Sequence, residues 1–151
     1  MSMPDYFDKD IFKVDLGGLH GISHWQNVNH IGQLLADKNG ADKKIIRCFS
    51  FLHDAGRQDD SDDPEHSYRS LGIIEQIKDK LSLSQDQYQK LLIAVKEHNK
   101  KEAKSDDITI RTCWDADRLD LFRVGIVPDK KYLYTKEGTD YLDLIKNDIH
   151  I

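Results

Sequence analysis

One segment of the sequence, residues 42–56 (DKKIIRCFSFLHDAG), limits the fold more than any other. Its apolar residues cover most of the circumference of a helix, so we predict a central helix that other helices surround. Asp42 is placed to cap the start of this helix, and Gly56 is placed to stop it. Near its end, however, the segment carries His53 and Asp54, although a buried carboxylate is costly unless it is paired or bound to a metal.

The other long segments also have the period of a helix. Residues 107–122 (DITIRTCWDADRLDLF) alternate like a strand at Ile108 and Ile110, but their length and their helical neighbours favour a helix. We therefore predict an all-α fold, with residues 1–151 forming a single domain. Predicted helix starts lie at Ser23, at Asp63 before Pro64, at Ser84 with Gln87 in a capping box, and at Thr139, and predicted ends lie at Asn39-Gly40 and near His98.

The composition argues against several classes of function. The net charge of -5, with acids and bases interspersed, argues against nucleic acid as a partner. No apolar run approaches the roughly 20 residues of a membrane span, and the acidic start MSMPDYFDKD is unlike a signal peptide. Cys48 and Cys113 lie in apolar surroundings, which is typical of reduced core residues. We therefore expect a cytoplasmic protein that does not bind membranes.

Four polar residues lie on segments that are predicted to pack inward: His24, His53, Asp54 and Asp117. Because neighbouring helix residues point about 100° apart, His53 and Asp54 can reach one ion only if it lies beside their helix. His24 and Asp117, on neighbouring helices, could then supply the remaining ligands. A set of two histidines and two carboxylates suits a borderline or hard divalent metal and leaves positions open for water and substrate.

The order His, His-Asp, Asp on helices resembles the HD (His-Asp) superfamily of metal-dependent phosphohydrolases. The resemblance covers roughly residues 20–125 and is carried by His24 in SHWQNV, His53-Asp54 in FLHDAG and Asp117 in DADRLD. It implies a bundle of about six or seven helices around a metal site, and it makes these four residues the ligands of a divalent Mn, Mg, Zn, Fe, Co or Ni ion. Asp115 is the alternative to Asp117 as the last ligand.

The segment HDAGRQDDSDDPEH resembles a subset of small family members that carry an arginine, acids and then a histidine at a helix start. The corresponding residues here are Arg57, Asp60, Asp63 and His66. Arg57 either binds a substrate phosphate in bidentate fashion or pairs with the nearby acids. Asp60 is a candidate general acid, with a solvated turn as the alternative.

Two further histidines, His66 and His98, lie where two-metal members of the superfamily carry additional histidines. We expect one tightly held metal, with His66 and His98 lining the pocket, and a second ion is the alternative. His20 either reaches the same site or lies in a mobile loop.

The resemblance implies hydrolysis of a phosphomonoester or phosphodiester, with a nucleotide as the expected substrate, by a water that the metal activates. The expected catalytic residues are Asp54, Arg57, Asp60 and His66, and the expected substrate-binding residues are Arg57, His66, His98 and Arg118. The alternatives are an HD-fold di-iron oxygenase, a non-catalytic metal- or nucleotide-binding protein, and a helical interaction module. The segment 124–138 (VGIVPDKKYLYTKEG) is a predicted lid or the contact of a homodimer.

Overall fold

The computed structural model describes residues 4, 12, 16–58, 63–100 and 102–148. Within these ranges all regular structure is helical, which confirms the all-α class. The α-helices are α1 (Ile22–Asn39), α2 (Lys43–Leu52), α3 (His66–Gln76), α4 (Gln85–Glu97), α5 (Ile108–Leu119) and α6 (Lys136–Asp148), and short 3₁₀ helices span Lys78–Lys80, Asp120–Val124 and Lys130–Tyr132.

Helix α2 lies at the centre, as its apolar circumference predicts. It packs against α1, α4 and α5, and it buries Ile45, Ile46 and Phe49 almost completely. The Asp42 side chain accepts hydrogen bonds from the first-turn amides of α2, which confirms this cap. The helix ends at Leu52 rather than at Gly56, so that His53 already lies at its C-terminus.

Gly56 brings the chain after α2 into direct contact with the first turn of α3. A Cβ atom at this position would lie closer than 3.0 Å to the backbone of Ser70 and of His66, and backbone atoms cannot move aside as a flexible side chain can. The Gly56 amide donates to Ser70 Oγ at 2.8 Å, and Ser70 Oγ donates to the His53 carbonyl at 3.0 Å. The glycine and the serine therefore hold the start of α3 against the end of α2.

The starts of α1 and α6 differ from the prediction. Helix α1 begins after Gly21, whose backbone is extended, and Ser23 lies inside the first turn and does not cap it. Helix α6 begins three residues before the predicted cap Thr139, because Thr135 Oγ1 accepts a hydrogen bond from the Gly138 amide at 2.9 Å. In both cases a capping residue type stands close to the true start, but another residue has the required geometry.

The predicted start of α3 is also wrong. Glu65, not Asp63, precedes the first residue of α3, and Pro64 lies in the turn before the helix. The Asp63 carboxylate instead accepts from the Gln58 amide at 3.0 Å and pairs with the Arg69 guanidinium. Asp63 therefore ties the preceding turn to the first turn of α3 instead of capping the helix.

Three further predicted helix boundaries are found in the structure. Ser84 and Gln87 form the capping box of α4, α4 ends at His98, and Gly40 ends α1 in the left-handed conformation. Cys48 and Cys113 are buried and are not joined in a disulfide. Of the helices in the described ranges, none combines the length and the apolar character that a membrane span needs.

The contact at Gly56 predicts a selective loss of stability. We expect Gly56→Ala to lower the free energy of unfolding by about 2 kcal/mol, because the added methyl group overpacks the junction between α2 and α3. The control is Gly72→Ala in α3, where an added Cβ meets no atom within 4 Å. We expect that variant to be more stable than the wild type by up to about 1 kcal/mol, since alanine favours the helix. Urea denaturation measures both changes, and equal effects of the two substitutions would contradict the close packing at Gly56.

Candidate metal centre

The inward ends of several helices surround a polar pocket of about 210 Å³. His24 comes from α1, His53 and Asp54 from the end of α2, and Asp117 from α5. Helices α3 and α4 contribute His66 and His98 from the opposite side. The histidines lie at helix ends or one turn inside them, so their rings extend past the apolar core and meet each other.

Four of these side chains form a first cluster. His24 Nε2 lies 3.2 Å from His53 Nε2, and Asp117 Oδ1 lies 3.1 Å from each of these nitrogens. Asp54 Oδ2 lies 3.4 Å from His24 Nε2 and 3.3 Å from His53 Nε2. The structure thus brings together the four residues that the sequence singled out as metal ligands. The donor atoms of His24, His53 and Asp117 all lie within 4.8 Å of one another, and Asp54 Oδ2 lies beside both histidines.

The Nδ1 atom of each histidine ring in this cluster forms a hydrogen bond with a group outside the cluster. His53 Nδ1 lies 3.0 Å from the carbonyl oxygen of Phe49 and 3.1 Å from that of Ser50. Because a carbonyl oxygen only accepts, His53 Nδ1 carries the proton and Nε2 of the neutral ring carries a lone pair. His24 Nδ1 lies 2.6 Å from Asp120 Oδ2, so the same reasoning directs its Nε2 lone pair into the cluster.

His66 and His98 form a second cluster on the other side of Asp54. His66 Nδ1 donates to the Asp63 carbonyl and His98 Nδ1 to the Val95 carbonyl, both at 2.6 Å. Their Nε2 atoms lie 2.9 Å apart, and they lie 3.2 and 3.8 Å from Asp54 Oδ1. Burial lowers the pKa of His98, which favours the neutral ring with its lone pair on Nε2. The two oxygens of Asp54 therefore face two different pairs of histidines.

These donor atoms fit a divalent cation. Neutral rings held through Nδ1 would direct two lone pairs at each other across 3.2 Å in the first cluster and 2.9 Å in the second, which is repulsive without a positive charge between them. Asp54 Oδ2 is buried and accepts no hydrogen bond from the described residues. Imidazole nitrogens and carboxylate oxygens are the ligands that borderline and hard divalent ions take in proteins.

The electrostatics of the first cluster also require positive charge. Burial disfavours the protonated form of His53, but the carboxylates of Asp54 and Asp117 outweigh it and raise the pKa of His53 to about 9. The carboxylates likewise raise the pKa of His24 well above its usual range, against the effect of burial. Burial opposes the charged form of Asp54 and Asp117, yet the histidines hold the pKa of both carboxyls well below the usual range. Protons and metal ions therefore compete for the same nitrogens.

The structure separates the two aspartates between which the sequence left the last ligand open. Asp117 Oδ1 faces the first cluster. The fully buried Asp115 points away from it and accepts from the Tyr134 amide at 2.8 Å and from the amide and hydroxyl of Thr135 at 2.8 and 2.6 Å. Burial raises the pKa of Asp115, against these three donors. Asp115 anchors the segment before α6, and Asp117 is the candidate ligand.

Asp120 is a candidate site residue that the sequence did not single out. It is buried, accepts from His24 Nδ1, and pairs with Arg123, whose Nε lies 3.1 Å from Asp120 Oδ2. The sequence contains one indication that Asp120 belongs to the site. It follows Asp117 by three residues and therefore lies on the same face of the helical segment. Carboxylates in this position behind a histidine fix its orientation and raise its basicity as a ligand.

Three of the remaining predicted site residues lie at the polar pocket. Arg57 Nε lies 3.4 Å from Asp54 Oδ1, and its side chain lines the polar pocket. Arg118 also lines the pocket, and its Nη1 donates to the Tyr132 carbonyl at 2.5 Å. His20 Nδ1 lies 3.6 Å from Asp54 Oδ2, so the structure places His20 at the site. Asp60, the candidate general acid, lies outside the described residues.

A family model described as the HD domain matches residues 21–121, which is more than half of the chain. The chain therefore belongs to the HD domain family, and the resemblance seen in the sequence is confirmed. The matched range contains every histidine and aspartate of the two clusters. Neither the curated proteins nor the solved structures give a match to this chain.

The contact behind His24 predicts a change in metal affinity. We expect Asp120→Asn to weaken binding of Mn²⁺ by about 10- to 100-fold, because a neutral amide supports the basicity of the His24 ring less than a carboxylate does. Isothermal titration calorimetry measures this affinity. The control is Asp143→Asn, which removes a half-exposed carboxylate that pairs with Lys130 on the surface. Equal affinities of the two variants would contradict a role of Asp120 behind the ligand.

Proposed function

We propose that the protein is a metal-dependent hydrolase of phosphate esters and that the polar pocket is its active site. The observation that carries the proposal is the convergence of four histidine Nε2 atoms on the Asp54 carboxylate. Membership of the HD domain family, a superfamily of metal-dependent phosphohydrolases, supports the same reaction class.

The ligand sets support two ions rather than the single ion expected from the sequence. His24, His53 and Asp117 would hold the first, and His66 and His98 the second, with Asp54 contributing one oxygen to each. Bound divalent ions supply a nucleophile from water near neutral pH and neutralise charge on a phosphate. In this arrangement His66 and His98, which the sequence assigned to substrate binding and, for His66, to catalysis, become metal ligands.

Two arginines supply the positive charge for the substrate. Arg57 and Arg118 both line the pocket, and a guanidinium can donate two parallel hydrogen bonds to phosphate oxygens. Arg118 is oriented by the Tyr132 carbonyl and by the Tyr132 ring, whose centroid lies 5.5 Å from the guanidinium carbon. We infer that these two side chains bind and orient the phosphate over the ligand clusters.

Hydrolysis also requires a proton for the leaving oxygen. His20 lines the pocket and belongs to neither of the two proposed ligand sets, so we propose it as the donor. Its side chain is 29% exposed, which allows its ring to exchange protons with solvent. In the reaction the water gives up one proton to solvent and its oxygen bonds to phosphorus, the bond between phosphorus and the leaving oxygen breaks, and the proton from His20 completes the alcohol. His20 then takes up a proton from solvent.

The second ligand cluster also favours one alternative function. An HD-fold oxygenase with two irons requires more ligands than the first cluster supplies, and His66 and His98 provide them. The two arginines in the pocket favour phosphate chemistry instead. Hydrolysis that continues unchanged without oxygen, with a redox-inactive metal, distinguishes the phosphohydrolase from the oxygenase.

The proposed function predicts metal-dependent turnover that depends on Asp54. Purified protein supplied with Mn²⁺, Co²⁺ or Mg²⁺ should hydrolyse phosphomonoesters or phosphodiesters, and a chelator should abolish the activity. We expect Asp54→Asn to lower kcat/KM by about 1000-fold, because both clusters lose a charged ligand and with it several kcal/mol of transition-state stabilisation. Arg57→Ala should lower kcat/KM by about 10- to 100-fold through the lost contacts to phosphate.

Arg47→Ala serves as the control for the arginine variant. Arg47 lies over the Phe51 ring at 5.8 Å and does not line the polar pocket, so its removal should leave kcat/KM within about twofold. Absence of phosphate release with every metal tested, or wild-type turnover in Asp54→Asn, would overturn the proposed function.

A further inference from the structure

A second cavity of about 180 Å³ adjoins the polar pocket. The two share His20, His24 and Leu121, so they lie side by side at these three residues. Unlike the polar pocket, the far wall of this cavity is formed mainly by aliphatic side chains. These are Leu19, from the segment before α1, and Val124 and Ile126, from the end of the 3₁₀ helix and the turn after it.

The charged residues of the cavity are engaged with each other. Arg123 Nε donates to Asp120 Oδ2 at 3.1 Å, and Arg123 Nη2 donates to the Leu19 carbonyl at 3.0 Å. The second partner of the Asp120 carboxylate is His24 Nδ1. These contacts fix the position of the walls and pair the two charges within the protein. Apart from the His20 and His24 rings at the boundary, the cavity therefore offers a ligand mainly aliphatic side chains.

The aliphatic walls expose a large apolar area beside a polar site. Leu19 is 53% exposed, Leu121 38%, Val124 41% and Ile126 51%. A contiguous group of this kind commonly marks a binding site, because covering it removes apolar surface from water. The Ile126 amide donates to the Leu121 carbonyl at 3.1 Å across the turn at Gly125, so the wall is held in shape by the backbone.

We propose that this cavity is the subsite for the alcohol part of the substrate and that the substrate is a phosphate ester of an apolar alcohol. The inference rests on the proposed function, which places the phosphate at Arg57 and Arg118. His20 lies at the boundary between the two cavities, where the leaving oxygen of such an ester would be. A nucleoside is disfavoured here, because its polar edges would give up hydrogen bonds with water for aliphatic contacts.

The subsite is tested with two non-hydrolysable ligands, methylphosphonate and hexylphosphonate, on the metal-loaded protein. Isothermal titration calorimetry should show that hexylphosphonate binds at least about tenfold more tightly, since each buried methylene contributes about fourfold. Val124→Ser should reduce this ratio by about threefold or more. Val127→Ser is the matched control, because Val127 is 52% exposed and does not line the cavity, and it should leave the ratio unchanged.

Equal affinities of the wild-type protein for the two phosphonates would overturn the subsite, and so would equal ratios in the two valine variants. Hydrolysis of methyl phosphate and hexyl phosphate, measured separately, tests the proposed function. If neither ester is hydrolysed while hexylphosphonate still binds more tightly, the reaction class is wrong and the apolar subsite stands. If both are hydrolysed with equal kcat/KM and the phosphonates bind equally, the reaction class stands and the subsite is wrong.

Discussion

Four histidine rings in this protein are fixed through their Nδ1 atoms, and the rest of the site depends on this constraint. Three donate to main-chain carbonyl groups and one donates to the Asp120 carboxylate. Each neutral ring then directs the lone pair of its Nε2 atom toward Asp54, and such a centre requires positive charge. The ring orientation that suits a metal ion is therefore fixed by three backbone carbonyl groups and one carboxylate, and does not depend only on which residue types are present.

The fold serves this centre by bringing helix ends together around α2. The apolar face of α2 fills the core, and the residues at its end, His53 and Asp54, reach the neighbouring helices. Gly56 then lets the chain pass close to α3, which positions His66 opposite Asp54. A buried carboxylate is costly without partners, and here its two oxygens face two histidine pairs. The end of α2 and the turn after it thus contribute to both halves of the site.

Much of this arrangement follows from the sequence, because helical period places His24, His53, Asp54 and Asp117 on inward-facing segments. The choice between Asp115 and Asp117 does not follow from it. Both aspartates lie on the same helix, and Asp115 finds its partners in a distant loop that has no periodic pattern. The position of His66 likewise depends on the turn after α2, where Gly56 allows the backbone of α3 to come close. The spacing of residues along the sequence does not reveal such contacts between distant segments.

The most direct test of this arrangement is the number of metal ions bound by the wild type and by Asp54→Asn. Protein purified without chelators and equilibrated with Mn²⁺ should bind two ions per chain, as counted by elemental analysis after dialysis. The variant should lose tightly bound metal from both clusters, because one carboxylate serves the two histidine pairs. Wild-type stoichiometry in Asp54→Asn, or a wild-type chain without stoichiometric metal, would contradict a centre organised around Asp54.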